Sequence, residues 1–432
     1  RLRPNTNVTL TLYTADEVEI PGIVLQEAFG VNLPGHVVNT GPPMTGSNFT
    51  PPEPYAACKL VVLLPAVVFT GSKFLTINNN DVGSSEARTL GYYASIDPAN
   101  ERETLGAWWT KNGFVFGNGT NQPPTNVDVK RTSYLNFNDL GSGRDMYFRP
   151  LGNGNVAAYV TNYGKFDQDP DNARTAAVND IGKRGATVCM EFSPIEGRVA
   201  PENRSIVKFY VYKPILGDPE WAHDIRATSA NLDTYGEKFV PNLCINCHGE
   251  EPYEPVNNAI PLFEELDVAA SFRELDYATY KFRLDDGATH PTLAEQQAFK
   301  DQNLIIRNAG SAIASQPIKD LITGWYASGT PAQDNSYTPP NWIGAPQQGL
   351  YHDVVATSCR TCHIALQEDL NWNEYSEFEL GNATFNLRYT VLCEGRYMPH
   401  AAITYRNFWL SAVPHGPEEL RTFQKLPDWP RI

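Results

Sequence analysis

The stretch Cys244-Ile245-Asn246-Cys247-His248 recurs in the same pattern as Cys359-Arg360-Thr361-Cys362-His363. In both copies two cysteines flank two other residues, and a histidine follows at once. This pattern is typical of c-type haem attachment, in which the two sulfurs form thioethers with the haem and the histidine ligates its iron. We therefore expect the second half of the chain to fold around two covalently attached haems c.

Two other uses of paired cysteines fit the sequence less well. A zinc site usually places its second Cys-x-x-Cys about 15 to 20 residues after the first, whereas Cys244 and Cys359 are 115 positions apart. A thioredoxin-like redox pair needs a βαβ setting and gives no reason for the histidine after each pair. The haem interpretation explains all six residues.

The sixth ligand of the second iron is expected downstream of its motif. Met398 lies in the segment 396–400 (RYMPH), about 35 residues after His363. A thioether followed by proline resembles the distal ligand loop of mono-haem class I cytochromes c. We expect Met398 to ligate the second iron, with His400 as the substitute.

The first iron has three candidate sixth ligands. His290 follows His248 by about 42 residues. Met146 belongs to the β-rich half and reaches the iron only if that half closes over the haem. His352 precedes His363 by 11 residues, so on a continuous helix it would tend to lie near the second haem. These three residues and an open iron remain as alternatives.

The first ~225 residues alternate apolar and polar positions as β-strands do. The runs are 8–12, 59–69, 156–160, 186–192 and 206–212, separated by Gly, Pro and Asn. Many short strands joined by turn residues favour an antiparallel sandwich or barrel. We therefore expect an N-terminal antiparallel β-rich, sandwich-like domain over residues 1–225.

Helical patterns follow this region. Thr292 and Glu295 form a capping box that begins a helix reaching about Arg307. Pro317 begins a second helix, whose apolar residues recur at helical spacing. A third, short helix is expected at Pro417, with acidic residues in its first turn.

These patterns predict a multidomain α+β chain. Residues 226–432 would form a mainly helical dihaem cytochrome c domain, and the separation of the two motifs suggests two lobes, about 226–340 and 341–432. Aromatic residues near the motifs, such as Trp342 and Trp372, would wall the porphyrins. Arg360 and Arg396 are candidates for pairing with haem propionates.

Charge and hydropathy limit the partners. The formal net charge is -15, which argues against nucleic acid because nucleic-acid binding requires basic patches. Redox partner proteins or another copy of the chain are easier to accommodate. The longest apolar run, 60–69, is about half the ~20 residues that a membrane helix needs, so no transmembrane segment is expected.

Covalent haem attachment of this type takes place outside the cytoplasm. The chain begins at Arg1, which suits an exported form whose signal peptide has been removed. We therefore expect a periplasmic or extracellular location. In such an oxidising compartment Cys58 and Cys189 could form a disulfide, and the alternative is that Cys58, Cys189 and Cys393 are three buried thiols.

Four further segments resemble a group of bacterial secreted dihaem cytochromes. They are 138–146 (NDLGSGRDM), 242–249 (NLCINCHG), 322–326 (ITGWY) and 358–363 (SCRTCH). The resemblance runs from about residue 130 onward and leaves the first ~130 residues without a relative. It implies haem attachment and export, and it favours Met146 as a ligand because this residue lies inside the first segment.

Three functions are compatible with two haems. The first is electron transfer outside the cytoplasm, the second is a peroxidase-like enzyme with one open iron, and the third is a subunit of an extracellular cytochrome assembly or filament. A peroxidase needs an acid-base group beside the open iron, for which Glu250 and Glu251 are the nearest candidates. Candidate ligands outnumber the iron positions, so an electron-transfer protein is favoured over an enzyme.

Overall fold

The structure, a computed structural model, describes the chain from residue 85 onward with gaps. The described residues are 85–117, 119, 122–136, 139–163, 184–232, 237–249, 266–282, 291–344, 347–366, 371–379, 404, 408 and 416–423, together with the backbone of seven earlier strands. These parts contain an antiparallel sheet of six strands and several helices. The fold is therefore mixed α+β.

The seven early strands form two antiparallel groups. They are β1 Val8–Thr14, β2 Val24–Gly30, β3 Val37–Asn39, β4 Met44–Thr45, β5 Asn48–Phe49, β6 Cys58–Leu63 and β7 Lys73–Asn78. Strand β1 pairs with β5 and β7, while β2 pairs with β3, β4 and β6. Two of the runs expected to form strands lie in this region. The run 8–12 lies in β1. The run 59–69 begins in β6, which extends to Leu63 among the described residues.

Six consecutive strands form a meandering antiparallel sheet. They are β8 Lys130–Leu135, β9 Gly143–Gly152, β10 Asn155–Tyr163, β11 Arg184–Pro194, β12 Ser205–Lys213 and β13 Ile225–Arg226, and neighbours in sequence are neighbours in the sheet. A short pair, β14 Ser229–Ala230 and β15 Lys238–Phe239, follows. The strands predicted at 156–160, 186–192 and 206–212 are confirmed as β10, β11 and β12.

The helices described by the structure lie on both sides of residue 225. They are α1 Glu86–Ile96, α2 Leu105–Lys111, α3 Asn242–His248, α4 Leu293–Asn308, α5 Gln316–Trp325, α6 Gln347–Leu350, α7 Arg360–His363 and α8 Gly416–Phe423. A π-helical segment, Tyr351–Cys359, joins α6 to α7. Short 3-10 turns occupy Trp221–His223, Tyr277–Thr279, Ser311–Ile313 and Pro340–Trp342.

The predicted helix starts are confirmed. Thr292 caps α4, and its side chain and that of Glu295 make both hydrogen bonds of the capping box. Pro317 lies in the first turn of α5, and α8 begins at Gly416. Helices α1 and α2 were not predicted within the β-rich half, and their caps explain them, since Ser85 and Thr104 each accept a backbone N–H bond from the first turn.

Two apolar clusters form the core of the described residues. The larger one runs from Tyr92 to Ile364 and joins the six-stranded sheet to α3, α4 and α5. The smaller one consists of Trp342 and later residues, up to Leu420. The boundary expected near residue 225 stays a prediction, and buried residues on its two sides belong to one cluster. Among the described helices, none has the length and apolar character needed to cross a membrane.

Candidate cofactor site

The first motif forms helix α3 and holds its histidine in one orientation. The backbone carbonyl of Ser271 accepts a hydrogen bond from Nδ1 of His248, at 3.0 Å. Nδ1 therefore carries the proton, and Nε2 keeps its lone pair for a metal. Burial lowers the pKa of His248 to about 4, and the nearby Arg273 acts in the same direction. The imidazole is neutral near neutral pH, which is the form that ligates a metal.

The second motif spans the end of the π-helical segment and α7. The ring of His363 stacks on Trp372, with ring centroids 3.8 Å apart and an angle of 9° between the planes. Trp372 has a φ of 57°, a left-handed conformation that bulky side chains rarely adopt. Its carbonyl accepts a hydrogen bond from Nε1 of Trp342, at 3.1 Å. These contacts hold the indole against the histidine despite the strained backbone.

The two motifs meet in space. The sulfur atoms of Cys247 and Cys362 are 3.7 Å apart. Ser271 also joins the motifs, because its carbonyl accepts from His248 while its hydroxyl donates to the carbonyl of Ala365, at 3.5 Å. Chain segments separated by 115 positions are thereby placed in contact.

The outer cysteine of each motif is a buried thiol. Burial raises the pKa of Cys244 to about 12 and that of Cys359 also to about 12. Both thiols are therefore protonated in the polypeptide near neutral pH. Cys189 of β11 is also a free and fully buried thiol, which is the buried-thiol alternative for this residue, while the side chains of Cys58 and Cys393 lie outside the described residues.

A large cavity lies beside the first motif. It encloses about 1370 Å³ of space between atoms, including its open mouth, and Cys244, Cys247 and His248 line it. Arg360 and Thr361 of the second motif contribute to the same wall.

One face of the six-stranded sheet closes this cavity. Arg144, Met146 and Phe148 occupy alternate positions of β9 and line it together, as expected for side chains on one face of a strand. Val160 of β10 lies opposite Met146, and Val188 of β11 lies opposite Val160. Both valines line the cavity too. The β-rich half thus covers the first motif, which is the condition that Met146 needed in order to be a ligand.

The structure locates two of the candidate sixth ligands. Met146 lines the cavity, and its Sδ atom accepts a weak hydrogen bond from the Tyr134 hydroxyl, at 3.8 Å. Nε2 of His352 instead lies 2.8 Å from Oγ1 of Thr338, and His352 does not line the cavity. The other candidates, His290, Met398 and His400, lie outside the described residues, as do Glu250, Glu251 and Arg396.

Charged residues also line the cavity, among them Arg273, Glu274, Asp276 and Arg360. Arg360 is an expected propionate partner, but its guanidinium already donates to Asp276 and to the Tyr351 hydroxyl. Arg273 and Glu274 were not predicted. Their signal in the sequence is weak, because an adjacent pair of opposite charges within an apolar stretch also suits a surface loop.

The described residues contain no group of three or more His, Cys, Asp or Glu side chains arranged to hold a metal ion. Comparison with protein-family models, with curated proteins and with solved structures finds no match to this chain. The two pentapeptides and the geometry around them are therefore the features that indicate a function.

Proposed function

We propose that this chain is a dihaem c-type cytochrome that transfers electrons outside the cytoplasm, in the periplasm or the extracellular space. One haem c would be attached at Cys244 and Cys247, and the other at Cys359 and Cys362. The observation that carries the proposal is the 3.7 Å separation of the Cys247 and Cys362 sulfur atoms.

The sulfur contact favours direct electron exchange. A haem c supplies one-electron chemistry at its iron when it is bound. Each thioether sulfur is bonded to the periphery of its own porphyrin, so Cys247 and Cys362 would bring the edges of two macrocycles close together. Two haems held by these two cysteines would supply one-electron transfer as a single relay.

The residues around the first motif fit a haem. His248 presents a neutral imidazole with Nε2 available, because the Ser271 carbonyl fixes the proton on Nδ1. Phe209 contacts the edge of this imidazole, with ring centroids 5.9 Å apart. The sheet face that closes the cavity is largely apolar. Such a setting and the axial ligands are the protein's means of tuning a haem potential.

Met146 is the sixth ligand that the geometry favours for the first iron. It shares the cavity with His248, and Gln302 holds its strand because Nε2 of Gln302 donates to the Met146 carbonyl, at 3.2 Å. A Met ligand closes the iron to small molecules and raises its potential. Met398 remains the proposed ligand of the second iron. Two irons whose six coordination positions are all filled favour an electron carrier over a peroxidase-like enzyme.

The proposal includes the expected organisation of the chain. Residues 1–225 would form the β-rich, sandwich-like part and residues 226–432 the helical part that carries both haems. The formal charge of -15 favours a cationic or neutral redox partner over an anionic one. Partner proteins or further copies of the chain would exchange electrons with the haem pair.

Absorbance and EPR spectra of the oxidised protein test this function. We expect two low-spin, six-coordinate irons, no rapid carbon monoxide binding in the half-reduced or fully reduced state, and peroxide turnover no faster than that of free haem. Met146→Ala provides the positive control, because it should open one iron to carbon monoxide. Rapid binding and peroxide turnover by the unaltered protein would instead support the peroxidase-like enzyme.

A further inference from the structure

Two adjacent side chains in the cavity have unused hydrogen-bonding capacity. Nε of Arg273 and Oε2 of Glu274 are both buried and have no hydrogen-bond partner. Glu274 is 4% exposed, and both residues line the cavity beside Cys247 and His248. A buried polar atom without a partner is destabilising, so the pair is suited to a polar ligand that enters the cavity.

The surrounding charges leave Arg273 short of a close anionic partner. Its nearest described carboxylate is that of Asp139, with Nη1 and Oδ2 3.8 Å apart, which exceeds hydrogen-bond distance. The neighbouring Arg360 is held by Asp276 and Tyr351. Arg273 therefore has capacity to bind another carboxylate.

We propose that Arg273 and Glu274 form the binding site for a propionate of the first haem, and that Glu274 takes up a proton when this haem is reduced. The inference rests on the proposed function, because it requires a haem in the cavity. It adds that the group bound at this site is a carboxylate. It also adds that uptake of an electron by the haem is coupled to uptake of a proton by Glu274. Arg273 and Glu274 act as positioning residues that do not ligate the iron.

The charged groups that face Glu274 come from several segments. Arg273 and Asp276 belong to its own segment, while Arg360, Tyr351 and Cys362 belong to the second motif and the helix before it. Burial raises the pKa of Glu274 to about 7, although Arg273 and Arg360 oppose this effect and Asp276 adds to it. The carboxyl can therefore change its protonation state near neutral pH.

The proton and electron balance is simple. When an external one-electron donor reduces the first haem, the Glu274 carboxylate takes one proton from water and becomes a carboxylic acid. Reoxidation releases the electron and the proton. An added electron favours the neutral acid, so the pKa of Glu274 is higher in the reduced protein than in the oxidised protein. Between these two pKa values the reduction potential falls as the pH rises.

Potentiometric titration of the holoprotein at a series of pH values tests the inference. A tenfold change in proton concentration corresponds to about 59 mV for a one-electron couple, and we expect one of the two potentials to approach this slope around pH 7. Glu274→Gln should keep, at every pH, the potential that the unaltered protein has at low pH. Glu202→Gln makes the same chemical change outside the cavity, at a partly exposed residue that pairs with Arg198, and should leave the slope unchanged.

Two further measurements cover a Glu274 variant that fails to fold. The infrared difference spectrum of the unaltered protein should gain the carbonyl band of one protonated carboxylic acid on reduction. Arg273→Gln should shift the propionate bending mode in the resonance Raman spectrum of the reduced protein, which a purely structural role would leave in place. A slope that persists in Glu274→Gln, or no infrared band in the unaltered protein, would overturn the inference.

The outcomes separate this inference from the function on which it rests. Two covalent haems with potentials that are independent of pH would overturn the role of Glu274 and leave the dihaem cytochrome intact. A holoprotein preparation without covalent haem would overturn both. Intact mass, measured before the titration, distinguishes the two cases.

Discussion

The sulfur atoms of Cys247 and Cys362 lie 3.7 Å apart, although the two residues are 115 positions apart in the chain. Each cysteine is the inner thiol of its pentapeptide, directly before the histidine. The contact joins α3 to α7, and the Ser271 backbone and hydroxyl reinforce it through bonds to His248 and Ala365. Two haems attached at these motifs would form one redox unit.

Exciton coupling between the haems should follow from this contact. We expect the circular dichroism spectrum to show a bisignate signal in the Soret region, because two porphyrins joined at neighbouring sulfurs lie within coupling distance. Replacing Cys359 and Cys362 by Ala should leave one haem and a band of single sign. Cys189→Ala, which removes a buried thiol outside both motifs, should keep the bisignate signal. Two bound haems with a band of single sign would contradict the contact.

Met146→Ala should open the first iron. The oxidised spectrum should lose a weak thioether-to-iron band, the first haem should bind carbon monoxide rapidly, and its potential should fall, because Met ligation raises potential. Met190→Ala is the matched control, since Met190 lines the same cavity from β11 and loses the same side-chain atoms. If the two variants have the same spectrum, His290 or another residue ligates this iron.

Trp372→Ala should disturb the second haem alone. Loss of the stacked indole frees the His363 ring, so the low-spin EPR signal of that haem should broaden. Truncating a buried Trp also costs about 3–5 kcal/mol of unfolding free energy. Trp372→Phe should retain the ring contact and the sharp signal. A folded Trp372→Ala variant with an unchanged EPR spectrum would show that the stack does not orient the ligand.

Glu191 should control the acid stability of the six-stranded sheet. It is fully buried, and Lys208 and Arg102 pair with it at 3.0 and 2.9 Å. Burial acts to raise the pKa of Glu191, but these two cations outweigh it and lower the pKa from 4.5 to about 2. A carboxyl whose pKa is lower in the folded protein than in the unfolded chain stabilises the fold at pH values above its unfolded-state pKa. This contribution is lost as the pH falls through its folded-state pKa.

The lowered pKa of Glu191 corresponds to about 3 kcal/mol of unfolding free energy. Denaturant unfolding at pH values between about 5 and 2 measures this contribution. The unaltered protein should lose stability progressively over this range, and Glu191→Gln should be less stable at pH 5 and depend less on pH. The partly exposed pair of Glu202 and Arg198 provides the control, since Glu202→Gln should retain the full dependence. An unchanged pH profile in Glu191→Gln would contradict the prediction.

The sequence predicted the regular elements with strong local signals. The alternation of apolar and polar residues predicts strand β10. The turn before it contains Asn153 and Gly154, residue types that tolerate positive φ, and their φ values are 51° and 75°. The capping box of Thr292 was equally clear. Helices α1 and α2 were not predicted, because single Ser and Thr caps are common in β-rich chains.

The site was predictable only in part, for a physical reason. The pentapeptides predict Cys247 and Cys362 as attachment points, since thioether chemistry fixes the spacing within each motif. Their contact in space, the Ser271 carbonyl at His248 and the indole on His363 depend on tertiary packing of distant segments. No local pattern encodes such contacts, and the backbone carbonyl of Ser271 does not depend on the identity of its side chain.

Intact mass under denaturing conditions tests whether the chain carries two covalent haems. The polypeptide has a mass of 48.0 kDa, and thioether-linked haems remain attached when the fold is lost. We predict an increase of two haem masses, each roughly 0.6 kDa, for protein produced with haem-attachment machinery. Replacing Cys244 and Cys247 by Ala should reduce the increase to one haem. An increase of one haem, or none, in the unaltered chain would contradict the dihaem cytochrome.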